Sequence, residues 1–377
     1  MTYALVNCRI FDGKRLLIGQ AVIVEAEQIK EIVELDLLPN DIERVDLNGA
    51  LLAPGFIDLQ VNGGGGVLFN DDISVEGLLS IAKAHQRYGT TALLPTLITT
   101  SFPKMQQAML VVREAQQKYP QILGLHLEGP YISQKRRGTH DPNFVREASW
   151  AEIEEIGNNA DVVKVITVAP ESVKAEQVNY LVKKGIKVSL GHTDAQNKAV
   201  KALEQAGATL YTHLYNAMSQ LGSREVGAVG SALDSAESYA GIIVDGFHVD
   251  FSSVRIAKRC LGERLFLVTD AMPPVGSIKR EFSLGPLQVV CENGKCVNNE
   301  GALAGSALDM ATAVRNMTFT VGVSLVEALK MASLYPALAL GIHNLGKIEK
   351  GYQASMVLLS SQLEVVKVVQ NGMIVNY

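Results

Sequence analysis

Apolar and polar positions follow two different textures along the chain. Over the first fifty residues they form short strand-like stretches, Tyr3–Phe11, Ala21–Glu25, Gln28–Val33 and Asp46–Leu52, broken by turn signals such as Asp12-Gly13. Stretches this short and this close together predict a small antiparallel sheet. From Leu51 onward, apolar runs recur at Leu51–Gln60, Thr90–Leu97, Ile122–Glu128, Val162–Ala169, Lys187–His192, Thr209–His213, Tyr239–Asp245 and Arg264–Asp270. Amphipathic stretches with helical spacing lie between them: Val75–Tyr88, Pro103–Lys118, Trp150–Asn158, Lys174–Lys184, Ala195–Ala206 and Phe251–Leu261. Gly89, Gly185 and Gly207 stand where a helix ends before the next strand, the place for a left-handed cap. Eight strands alternating with helices predict an α/β fold of the (β/α)8, TIM-like barrel type. A doubly wound open sheet would carry a glycine-rich phosphate loop after its first strand. The run Gly63–Gly66 lacks that spacing and opens no helix.

Residues 281–306 interrupt the alternation with a β-rich excursion, Phe282–Leu284, Leu287–Cys291 and Lys295–Val297. A long helix is expected over Ala307–Gly322, then helices over Ser324–Ser333 and onward to Leu340. From Leu345 the strand-and-turn texture of the beginning returns. The expected organisation is therefore a small β-sandwich domain built from both chain ends, residues 1–53 plus 343–377, around a catalytic barrel of residues 54–342.

Composition narrows the partners. The chain has 377 residues, is 47% hydrophobic and carries a net charge of −5, with no basic block. That balance disfavours nucleic acid or a membrane surface as a partner. No run of about 18 uncharged apolar residues predicts a membrane span, and Met1–Ile10 lacks the basic-then-apolar pattern of a secretory signal. The expected location is the cytoplasm. There the four dispersed cysteines, Cys8, Cys260, Cys291 and Cys296, are expected as reduced thiols, although Cys291 and Cys296 could pair across the Glu292–Lys295 turn.

In such a barrel the reacting groups come from the C-terminal ends of the strands. Here those ends carry Gln60 and Asn62, Glu128, His192, His213, His248 and Asp270. A carboxylate ending an apolar run is costly unless it has a partner. Neutral imidazoles and one carboxylate are the ligand set of a catalytic divalent metal with a position open for water. Asp270 follows the apolar run Leu265–Val268, where a carboxylate could accept and return a proton. His126 shares a face with Glu128 by its two-residue spacing; it is read as an interior structural residue. Lys135, Arg136 and Arg137, with Arg224, could hold an anion such as phosphate.

Several motifs resemble those of the amidohydrolase superfamily. They are Pro54-Gly55-Phe56-Ile57-Asp58 at the start of the barrel, the split β-domain, and Gly346-Lys347-Ile348 with Gly351. More narrowly, His126–Pro130, Gly138–His140, Gly191-His192, Thr212–Met218, Asp245–His248, Val268–Ala271 and Leu303–Ser306 resemble the N-acetylglucosamine-6-phosphate deacetylases, over essentially the whole chain. The resemblance implies hydrolysis of the acetamide of N-acetylglucosamine 6-phosphate in amino-sugar catabolism. It implies Glu128, His192 and His213 as metal ligands, with Asp270 as general base and then general acid. His140 would polarise the amide carbonyl. Thr139, His140, Asn216, Ala217, Arg224, His248, Leu303, Ala304, Gly305 and Ser306 would contact the phosphorylated amino sugar, with possible contacts from Gln60 and Asn62. Arg224 would reach a neighbouring active site, so a homodimer or homotetramer is expected. One motif departs from many superfamily members: the His-x-His of the first strand is Gln60-Val61-Asn62. Amides are poor ligands for a transition metal, so one divalent ion per subunit is expected, zinc first, with Fe2+, Co2+ or Mn2+ as alternatives. Two other functions stand as alternatives: a related amidohydrolase acting on N-acetylgalactosamine 6-phosphate or a cyclic amide, and an inactive amidohydrolase-like binding protein. The second would have lost ligands that are all present here.

Overall fold

A computed structural model describes residues 1–375 and realises both textures. Eight parallel strands form one sheet in sequence order. They are β1 (Phe56–Val61), β2 (Thr90–Ile98), β3 (Leu125–Glu128), β4 (Val163–Val168), β5 (Lys187–Leu190), β6 (Leu210–Tyr211), β7 (Tyr239–Ile242) and β8 (Leu265–Leu267). A parallel bridge between Val61 and Ala271, with Asp270 N–H donating to the Gln60 carbonyl at 3.0 Å, joins the ends of β1 and β8 and closes the barrel. No strand edge is left at that seam, which is what closure achieves.

The helices fall where the apolar period places them, at Val75–Gln86, Phe102–Lys118, Trp150–Asn158, Ala175–Lys183, Asn197–Gln205 and Phe251–Leu261. Gly89, Gly185 and Gly207 have φ of +86°, +92° and +109°, conformations an L side chain rarely adopts. One further helix, Gly227–Asp234, has no counterpart in the sequence pattern. Its first turn is glycine-rich and almost every position is buried, so it shows no amphipathic stripe to read. The long helix expected over 307–322 is in fact a short α-helix, Met310–Arg315, followed by a π-helical segment, Asn316–Val321.

The described chain forms two compact units: Met1–Asp58 with His85–Ala92 and residues 309–375, and Leu59–Ala84 with Leu93–Leu308. In the first, a four-stranded and a six-stranded sheet share a core that includes Leu5, Val22, Ile29, Leu52, Met356 and Val369. That core draws on both chain ends, as a β-sandwich built from head and tail requires. The apolar run Leu51–Gln60 divides at Gly55: Leu51–Pro54 enters the six-stranded sheet, and Phe56–Val61 becomes β1. In the second unit the excursion folds as a four-stranded antiparallel sheet, Glu281–Leu284, Leu287–Glu292, Lys295–Asn298 and Leu303–Ser306. Cys291 and Cys296 are directly opposed in it and form a disulfide, which corrects the expectation of four reduced thiols. A tight turn in register places the two side chains on the same face, and composition alone does not fix register. Among the described residues no helix is long and apolar enough to cross a membrane.

Gly55 tests the packing at the division of the apolar run. A Cβ added there would lie 2.0 Å from Thr91 Oγ1 and 2.7 Å from Thr91 Cβ, far inside contact distance. Overpacking of a filled core costs about 1–3 kcal/mol. Gly55→Ala should therefore lower the thermal unfolding midpoint by several degrees in differential scanning calorimetry. An unchanged midpoint would contradict this packing.

Candidate metal centre

The strand-end residues converge. Glu128 is the last residue of β3 and is 2% exposed. Its Oε1 lies 3.1 Å from His192 Nε2 and 3.0 Å from His213 Nε2, and the two imidazole nitrogens are 3.0 Å apart. His192 and His213 each follow a strand by two residues and adopt left-handed backbone, φ +48° and +33°. Asp270, three residues after β8, does the same at φ +52°. Left-handed backbone costs a non-glycine residue about 1–2 kcal/mol. Three such residues at one rim point to a site whose geometry outweighs local preference.

Hydrogen bonding fixes the ring of His192. Its Nδ1 lies 2.9 Å from the Arg136 carbonyl, an acceptor only, so Nδ1 carries the hydrogen. A neutral His192 then turns the Nε2 lone pair toward Glu128 and His213. Lone pairs and a carboxylate repel one another unless a positive charge lies between them. Without a metal, a proton supplies that charge. Burial opposes ionisation of Glu128, but the hydrogen bonds and charge of His192 and His213 outweigh it and hold the carboxyl well below its ordinary range. For His213 burial favours the neutral ring, yet Glu128 and Asp270 raise its pKa above the ordinary value. A divalent cation would replace the proton with a stronger positive charge. The donor set therefore fits such an ion, with one carboxylate oxygen and two imidazole nitrogens.

A second set of donors overlaps the first. Glu128, His140 and His192 offer ligand atoms within 4.8 Å of one another. His213 Nε2 lies 3.0 Å from both Glu128 Oε1 and His192 Nε2, inside that bound. His140 stacks on His192 with ring centroids 4.4 Å apart and bonds through Nδ1 to Thr99 Oγ1 at 2.7 Å. Burial and the neighbouring His192 charge lower its pKa to about 3, leaving a neutral ring.

Asp270 completes the floor. Asn62 Nδ2 donates to its Oδ1 at 2.6 Å, and Gln60 Nε2 reaches both Asp270 Oδ1, at 3.2 Å, and Glu128 Oε1, at 3.0 Å. The two amides tie the carboxylates together. Burial and the charge of Glu128 raise Asp270 to about 6, against the opposing charges of His213 and His248.

A cavity of about 340 Å³ opens over these groups. Asn62, Thr139, His140, Asn216, Ala217, His248, Leu303 and Gly305 line it with Glu128, His192, His213 and Asp270. Ala304 and Ser306 are buried beside it: Ser306 N–H donates to the Asp270 carbonyl at 3.0 Å, and its hydroxyl to Thr269 O at 2.6 Å. Arg224 is exposed and does not line the cavity of its own chain.

The chain matches the amidohydrolase family model over residues 51–375 and the NagA composite domain over residues 2–52. It belongs to the amidohydrolase family. Among curated relatives, the N-acetylglucosamine-6-phosphate deacetylase of Haemophilus influenzae is 39% identical over 99% of both chains. The N-acetylgalactosamine-6-phosphate deacetylase of a Shewanella species is 44% identical over 85% of this chain and 82% of its own. The crystal structure of the N-acetylglucosamine-6-phosphate deacetylase of Pasteurella multocida superposes with a TM-score of 0.98 at 39% identity, covering all of both chains. An aspartate-to-alanine variant of the Mycobacterium smegmatis N-acetyl-D-glucosamine-6-phosphate deacetylase, in complex with N-acetyl-D-glucosamine-6-phosphate, does so at 0.92 and 28% identity over 99% of both.

Members of the amidohydrolase family are metal-dependent. Several contacts around the centre of this member have no sequence signal. Lys135 and Arg136, candidates for an anion, border the same cavity and are also paired with Asp194, with Arg136 Nε at 2.7 Å from Oδ1. That pair steadies the loop whose carbonyl holds His192. Thr99 and Asp194 look like ordinary loop residues in sequence. His126 bonds through Nδ1 to Leu59 O at 3.0 Å and through Nε2 to Thr167 Oγ1 at 2.7 Å, so both nitrogens are used away from the centre.

The two donor sets make different predictions. Glu128→Gln, His192→Asn and His213→Asn should each purify without stoichiometric metal by plasma emission analysis, whereas His140→Asn should keep it. Full metal in His213→Asn and none in His140→Asn would select the other set.

Proposed function

We propose that this amidohydrolase hydrolyses the acetamide of N-acetylglucosamine 6-phosphate, releasing acetate and glucosamine 6-phosphate. The observation that carries the reading is the buried triangle of Glu128, His192 and His213 with Asp270 alongside. The named relatives and the substrate-bound neighbour support the substrate. We take Glu128, His192 and His213 as the ligands of one divalent metal, zinc first. A divalent cation held there lowers the pKa of a bound water and polarises the acetyl carbonyl.

The chain's own groups do the rest. Asp270, with Oδ1 held by Asn62 and Gln60, has Oδ2 for the proton of the attacking water and returns that proton to the departing amine. A pKa held above the carboxylate norm suits both halves of that task. With Thr99 Oγ1 against His140 Nδ1 at 2.7 Å, we take the ring hydrogen to be on Nε2, where it can bond the carbonyl oxygen as negative charge develops on it. His248 gives Nδ1–H to Asp245 Oδ2 at 2.7 Å and, with Asn216 and the Ala217 backbone, offers donors to the phosphate. The phosphate supplies binding energy remote from the reacting amide. Thr139 and the strand Leu303–Ser306 bound the sugar. Residues 54–342 supply every one of these groups; residues 1–53 and 343–377 supply none. A sugar phosphate does not cross a bilayer unaided, so the enzyme shares its substrate's compartment, which we take to be the cytoplasm.

Asp270→Asn should keep metal and bind substrate, yet lose about 10²–10⁴-fold or more in turnover, the usual worth of a general base. Coupled measurement of acetate release checks this, and near-normal turnover would remove Asp270 from the role. The same assay on N-acetylgalactosamine 6-phosphate separates the epimers: a higher kcat/KM on that sugar would reassign the substrate while leaving the centre intact.

Arg224 is exposed in its own chain, and we propose that it reaches the phosphate in the active site of a neighbouring copy. Arg224→Ala and Asp270→Asn proteins, each nearly inactive, should regain a fraction of activity when dissociated and reassembled together, because one site per mixed pair is then complete. Confirmed mixed oligomers without recovery would place Arg224 outside the site.

A further inference from the structure

Beneath the proposed ligand layer the barrel interior carries a row of polar groups that the reaction above does not use. His126 on β3, Thr167 on β4, Ser189 on β5 and Thr212 just after β6 are all buried. They are linked in one chain: His126 Nδ1 to Leu59 O at 3.0 Å, His126 Nε2 to Thr167 Oγ1 at 2.7 Å, Thr167 Oγ1 to Thr212 Oγ1 at 2.6 Å, and Thr212 Oγ1 to Ser189 Oγ at 2.6 Å.

The Leu59 end sets the direction of every bond. A carbonyl only accepts, so His126 Nδ1 carries the hydrogen, and the neutral ring offers Nε2 as an acceptor. Thr167 gives its one hydroxyl hydrogen to His126. Thr212 must then donate to Thr167, and Ser189 to Thr212. All the hydroxyls point the same way, and the unused acceptor capacity collects at the Ser189 end.

Across from that end stands His213. It is 4% exposed, and its Nδ1 is buried without a hydrogen-bond partner among the described residues. His126, Ser189, Thr212 and His213 all border one small interior space of about 20 Å³. A single water needs roughly 10–15 Å³ and two or more polar partners. Here the partners are complementary, an imidazole N–H with nothing to receive it and hydroxyl lone pairs with nothing to donate to them.

We propose that one resident water fills this space, accepts the Nδ1 hydrogen of His213 and donates to the Ser189–Thr212 end of the row, making Ser189 and Thr212 positioning residues for His213. The inference rests on the reading of His213 as a metal ligand through Nε2. A ligating imidazole nearly always gives its other N–H to an acceptor, which fixes tautomer and ring orientation. His192 uses the Arg136 carbonyl in this way. The water and hydroxyl row give His213 the equivalent support from below.

The test measures Zn2+ dissociation constants by competition with a chromophoric chelator for the unmodified protein, Ser189→Ala, Thr212→Val and His213→Asn, with melting temperatures of each with and without zinc. Loss of outer-shell partners typically costs 10–100-fold in metal affinity, and that loss is expected for Ser189→Ala and Thr212→Val. In zinc-loaded crystals of the unmodified protein, one ordered water should lie within hydrogen-bond distance of His213 Nδ1. If His213→Asn binds zinc normally, the functional reading itself fails. If His213→Asn loses zinc but both hydroxyl variants keep the original constant, the row is packing only and the inference is overturned while the reading stands. Equal falls in melting temperature with and without zinc, at an unchanged constant, likewise reduce the row to packing. Should a variant fail to fold, the crystals decide alone, and a His213 Nδ1 with no water against it overturns the proposal.

Discussion

A carboxylate oxygen and two imidazole nitrogens at about 3 Å from one another repel in a dry interior unless positive charge lies among them. Glu128, His192 and His213 are held in that arrangement, and much of the barrel's rim is organised to keep them there. The Arg136 carbonyl sets the tautomer of His192. The Gln60 and Asn62 amides gather Glu128 and Asp270 on one side. Backbone bonds between Asp270, Gln60 and Ser306 join β1, β8 and the strand Leu303–Ser306 at the same point. The seam that closes the barrel is thus also the floor of the site, so the stability of the closure and the placement of Asp270 are coupled.

The same constraint separates the roles of the polar groups. Glu128 is tied into the triangle by the histidines and stays ionised, whereas burial and the charge of Glu128 push Asp270 upward. Two carboxylates on one rim are driven apart in proton affinity by their surroundings, one suited to holding a cation and the other to moving a proton. Gln60 and Asn62 stand where many superfamily members have histidines, and here they donate hydrogen bonds to the carboxylates. An amide nitrogen has no lone pair to give a metal, and both nitrogens are turned to the carboxylates.

Much of this was legible from residue pattern. The eight apolar runs, the helices between them and the residues at the strand ends follow from period and from where an apolar run stops on a polar group. The pairing of the chain ends followed from their shared texture. What sequence could not show depends on register and three-dimensional approach. The Gly227–Asp234 helix is buried at almost every position and shows no amphipathic stripe to read. The Cys291–Cys296 disulfide depends on the two residues facing one another across a hairpin. The pairing of Lys135 and Arg136 with Asp194 joins residues nearly sixty positions apart, and it ties the basic cluster beside the cavity to the loop that supports His192. The left-handed backbone at His192, His213 and Asp270 has no propensity signal, since none of the three is glycine.

The central claim is that one metal ion is held by Glu128, His192 and His213. Anomalous X-ray diffraction at the zinc edge, from crystals of the zinc-loaded protein, tests it most directly. A single strong peak is expected, about 2.0–2.2 Å from a Glu128 oxygen and from the Nε2 atoms of His192 and His213. Two peaks, or one peak bound by His140 in place of His213, would contradict it.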